Sequence, residues 1–65
     1  MPETFDEWRH CIEQECQIRL TREYIEQRLM ILRSTNHDET QRFIRHYGNH
    51  HWQRVVNWFE QVLLL

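Results

Sequence analysis

Seven side chains in this 65-residue chain could ligate a metal or act as nucleophiles: His10, Cys11, Cys16, His37, His46, His50 and His51. A zinc site needs four such groups converging in space, usually announced by two close pairs. The pairs available here are poor. His10 and Cys11 are adjacent and point about 100° apart on a helix, while His46 and His50 stand on either side of Gly48. Surface or helix-capping histidines are the simpler reading, so no metal and no cofactor is expected. Cys11 and Cys16 fall about 140° apart around a regular helix, so a disulfide between them requires the helix to break there. In a reducing compartment they are expected as free thiols.

Catalysis finds as little support. Neither cysteine sits at a helix N-terminus that would lower its pKa, and His10 is turned away from Cys11. Glu13 with Glu15 and Glu23 with Glu26 are the ordinary polar faces of amphipathic helices. A chain this short is not expected to build a pocket of ~300 Å³ or more from one copy and still keep a core. The expectation is a non-enzymatic protein with no catalytic residues. One property of the histidines is testable. His46 falls at the end of a predicted helix, where positive charge is favoured, and His50 and His51 at the start of the next, where it is disfavoured. Acidification is therefore expected to weaken the start of the last helix.

The elements that carry these groups are helical throughout. Asn49 to Leu65 is the most apolar stretch, and Trp52, Val55, Val56, Phe59, Val62 and Leu63 recur at three- and four-residue steps, which predicts a core stripe on the last helix. Thr4 with Glu7 fits a capping box and opens a first helix whose inner edge is Phe5, Trp8, Ile12 and Cys16, ending near Arg19. Thr21 opens a second, with Leu20 and Ile25 placed for a hydrophobic staple and Ile25, Leu29 and Leu32 as its inner stripe. Tyr24, Met30 and Ile31 widen that stripe, as on a helix contacted from two sides. Cys11, Ile18, Ile25 and Leu32 repeat every seven residues, which would suit one long coiled-coil helix, but the companion seam of Trp8, Glu15, Arg22 and Leu29 is half charged. Asn36 with Glu39 predicts the start of a third helix lined by Thr40, Phe43, Ile44 and Tyr47. Gly48 ends it and Asn49 caps the fourth. The expected architecture is all-α, a small bundle of three to four short helices in a single domain over residues 1–65.

Composition narrows the partners. A net charge of −2 argues against a dedicated nucleic-acid binder, and no apolar run approaches the ~20 residues that span a bilayer. Nothing at the start resembles a signal peptide, which points to the cytoplasm. All eight basic residues are Arg, a residue suited to interfaces. Trp58 and Leu65 fall about 60–100° from the centre of the core stripe, beside Arg54 and His51. Together with Leu64 they form the predicted partner-binding edge, because Trp and Arg are frequent interface anchors and terminal leucines in water invite aggregation. The sequence thus points to a regulator or adaptor that binds protein and self-associates as a homodimer. The alternative is a nucleic-acid-associated regulator whose last two helices resemble a helix-turn-helix and present Arg42, Arg45 and Arg54. A metal- or pH-responsive helical protein comes third.

Overall fold

A computed structural model describes residues 1–65 as an all-α bundle in the order α1 (Phe5–His10), α2 (Arg22–Leu32), α3 (Asp38–Tyr47) and α4 (Asn49–Leu63). No helix is long and apolar enough to cross a membrane.

α1 starts where its capping box predicts, with the Thr4 hydroxyl accepting the Glu7 amide at 3.1 Å. It does not run on to Arg19. From Cys11 to Glu15 the backbone widens into a π-turn, in which the Cys16 amide donates to the Cys11 carbonyl at 2.9 Å. The chain then leaves helical geometry, and Gln17 takes a φ of 56°. The cause lies in the side chains. After Trp8 and Ile12, the next inward positions of a continuing helix are Glu15, Cys16 and Arg19, which have little apolar area to bury. The break also excludes the long coiled-coil helix.

α2 begins as expected, with the Thr21 hydroxyl accepting the Tyr24 amide at 3.2 Å. Its Ile25, Leu29 and Leu32 are buried, and it packs on both α3 and α4. Met30, on its outer side, stands 76% exposed. Two carbonyls at its C-terminal end are met by side chains of the two neighbours, and Ile31 O also accepts the Ser34 amide at 3.0 Å. The Thr40 hydroxyl donates to Ile31 O at 2.6 Å and the Trp52 indole N–H to Leu32 O at 3.0 Å. Arg28 pairs with Glu39 across α2 and α3, and Arg33 with Glu60 across α2 and α4. The Arg28 hydrogen bond holds the Glu39 carboxyl below the usual glutamate value.

Two caps differ from expectation by one residue. His37, not Asn36, caps α3 by accepting the Glu39 amide on Nδ1 at 3.1 Å. Gly48, not Asn49, precedes α4, and no side chain caps that helix. A single residue thus joins α3 to α4. The Gly48 N–H donates to Ile44 O at 2.8 Å and its carbonyl accepts from the Trp52 amide at 3.1 Å, so it closes one helix and opens the next. Its φ of 93° and ψ of 157° belong to a region essentially reserved for glycine.

The core is Trp8, Ile25, Leu29, Leu32, Val55, Trp58 and Phe59. The α4 stripe is therefore rotated from its predicted position. Val55 and Phe59 are inside as expected, but Trp58 is also buried, while Trp52 and Val56 are only partly covered. The reason is α1. Trp8 docks between the Trp58 ring at 5.8 Å and the Phe59 ring at 4.8 Å, the latter edge-to-face, and covers the side of α4 that otherwise faces water.

A candidate binding cleft

The five residues of the predicted partner-binding edge do not stay together. Leu64 and Leu65 project into solvent, 86% and 79% exposed. Trp58, at 6%, and His51, at 7%, lie in the interior, which corrects their assignment to an outer edge. Arg54 bridges them, with its guanidinium 5.9 Å from the centre of the Trp58 ring and donating to His51 Nδ1 at 3.1 Å.

That hydrogen bond settles the state of His51. Arginine can only donate, so Nδ1 accepts and the ring is neutral with its proton on Nε2. The ring lies parallel to Phe43 at 5.9 Å and edge-on to Trp58 at the same distance. Burial first, then the positive charges of Arg54 and the N-terminal amine, pull the His51 pKa below its ordinary value. The consequence for stability has a definite sign. When the folded-state pKa lies below the unfolded value near 6.5, the unfolded chain takes up a proton first. Stability is therefore full above about pH 6.5 and declines as the pH falls from there towards the folded value. Thermal melts at pH 7.5 and 5.5 should show a lower Tm at the acidic value. His51→Phe should remove the His51 share of that fall, and an equal fall in the variant would show that other groups carry it.

Around His51 the helices leave an apolar cleft of about 490 Å³, a feature the chain length had argued against. Leu32, Val55 and Phe59 form its buried base. Trp8 and Ile12 line it from the α1 segment, Tyr24 and Arg28 from α2, and Phe43 and Tyr47 from α3, with Met1 and Pro2 at the mouth. It is large enough because α1 is not a continuous helix laid along the bundle. It reaches the core through Trp8, with Phe5 and Ile12 beside it, and leaves space between itself and α3. Tyr47, 46% exposed, packs on Phe43 with ring centres 4.9 Å apart and forms the outer lip.

Chemically the cleft is a receptor for apolar surface. Its polar members are Arg28, which pairs with Glu39; His51, whose Nδ1 accepts from Arg54; the hydroxyls of Tyr24 and Tyr47; and the N-terminal amine of Met1. No group of three or more His, Cys, Asp or Glu side chains converges on a possible metal position. Helix-by-helix reading of the sequence missed this site, although a signal was present. Phe43, Tyr47, His51, Val55 and Phe59 recur at every fourth position straight through the Gly48 break, and all five line the cleft. No family model, no curated protein and no solved structure matches the chain.

Proposed function

We propose that the protein is a non-enzymatic module that binds a partner protein by accepting an apolar anchor side chain into the cleft between α1, α2 and α3. The observation that carries this reading is the predominantly apolar and aromatic lining of the cleft, in which Arg28 is already paired with Glu39 and His51 Nδ1 with Arg54. A small-molecule site normally adds a few free, directed polar groups to its apolar walls. Here most of the lining is apolar and Arg28 is held by Glu39, so recognition rests chiefly on shape and apolar area, which suits a leucine or aromatic anchor projecting from a protein surface. The aromatic lip at Tyr47 is well suited to the rim of such a contact. Leu64, Leu65 and Met30 supply further exposed apolar area, and self-association through the leucines at the end of α4 is a second use of the same molecule.

Site-specific photocrosslinking in the host cell tests the cleft. A photoreactive phenylalanine at Tyr47 should trap a defined partner. The same residue at Gln53, on the exposed outer side of α4, should not trap it. Capture of the same partner with equal yield from both positions, or from Gln53 alone, would remove the cleft from the reading.

A further inference from the structure

The two cysteines are not placed as a regular helix would place them. Five residues of α-helix advance about 7.5 Å along the axis, which exceeds the largest Cα separation of ~6.8 Å that a disulfide spans. The π-turn changes this relation. The Cys16 amide donates directly to the Cys11 carbonyl at 2.9 Å, which stacks the two residues one turn apart. Both thiols are free; Cys11 is half-buried and Cys16 exposed. Cys11 also lies in a shallow surface depression with Met1, Asp6, Glu7, His10 and Glu15, an acidic setting in which three carboxylates outnumber the single N-terminal amine.

We propose that Cys11 and Cys16 form a thiol–disulfide exchange site, which the π-turn holds ready to close into an intramolecular disulfide on reaction with a small disulfide, with cationic disulfides favoured by the acidic surroundings. Cys16, the exposed member, attacks first as its thiolate. It bonds to one sulfur of the small disulfide and expels the other as a thiolate, leaving a mixed disulfide on Cys16. Cys11 then gives up its proton to solvent and attacks the Cys16 sulfur. The second small thiolate departs, and both expelled thiolates take protons from water. Two protein thiols are oxidised to one disulfide, and one small disulfide is reduced to two thiols. The order of attack also follows from the environment. The hydrogen bond with the Glu15 carboxylate, partial burial and the neighbouring Cys16 all push the Cys11 thiol up, which makes it the slower nucleophile against an external disulfide. As the second nucleophile its reaction is intramolecular, and proximity compensates for the low thiolate fraction.

The test uses cystamine as the cationic probe, with its reduced form as the counter-reagent, and mass spectrometry after acid quenching. The native chain should close to the Cys11–Cys16 disulfide with an equilibrium constant at least tenfold larger than the same chain in concentrated urea, where only sequence proximity acts. Cys11→Ser should stop at the mixed disulfide on Cys16. Its formation should be faster with cystamine than with anionic glutathione disulfide, and the ratio should shrink as salt is added. Equal constants in buffer and urea, or wild-type protein that accumulates the mixed disulfide without closing, would overturn the role of the π-turn. A rate ratio unaffected by salt would overturn the preference for cationic disulfides.

Discussion

Trp58→Ala is expected to leave the protein largely unfolded at room temperature, whereas Trp52→Ala should yield a folded protein with a lowered Tm. Trp58 is 6% exposed and sits among Trp8, His51 and the Arg54 guanidinium. Truncating a buried aromatic to alanine costs about 3–5 kcal/mol through lost burial and the cavity left behind. A domain of this length has a net stability of about 3–5 kcal/mol, so the loss is comparable to the whole. The damage also spreads, because the Trp58 ring is part of the surface on which Trp8, and with it α1, docks. Trp52 is only partly covered, and its one directed contact is the hydrogen bond to Leu32 O at 3.0 Å. Losing that bond and part of the ring's burial should cost about 1–2 kcal/mol. Urea titrations followed by circular dichroism separate the two cases. Trp58→Phe, which keeps most of the apolar volume, provides a folded reference. If Trp52→Ala proved the more damaging change, the rotation of α4 that places Trp58 inside would be wrong.

Gly48→Ala should destabilise the fold by about 1–3 kcal/mol, a large change for one added methyl group. Space is not the cause, since an added Cβ would meet no atom within 4 Å. The cost lies in the backbone, because an L-residue is strained at a φ of 93° with a ψ of 157°. Relief of that strain would have to reorient α3 against α4, since no other residue separates them, and would disturb the parallel contact between Phe43 and His51. A semisynthetic chain carrying D-alanine at this position provides the control, because the opposite chirality accommodates positive φ. It should melt well above the L-alanine variant. Equal melting of the two would show that strain at Gly48 is not what the substitution introduces.

Much of the fold was legible because it is local. Thr4 and Thr21 cap their helices through hydroxyl and amide groups three residues apart, and such pairs are visible in the sequence. Where the sequence pointed to Asn36 and Asn49 as caps, the structure uses His37 and Gly48, one residue away in each case. The choice between neighbours depends on the backbone angles that the packed helices impose, extended at His37 and positive in φ at Gly48. The partner-binding edge was misplaced for a different reason. Spacing identifies which α4 residues share a face, but not which face a neighbouring helix covers.

The sequence by itself determined an all-α chain with three to four helical segments, a capped start to α1 and α2, a buried stripe of Ile25, Leu29 and Leu32, and a turn at Gly48, since each follows from interactions within a few residues. Only the tertiary structure decided that α1 ends in a π-turn, that Trp8 docks on Trp58 and draws it into the core, and that Phe43, Tyr47, His51, Val55 and Phe59 open onto one cleft. Those outcomes depend on which surfaces meet. Apolar periodicity is non-directional, so a helix with two apolar sides leaves its orientation to be settled by the partner that buries one of them.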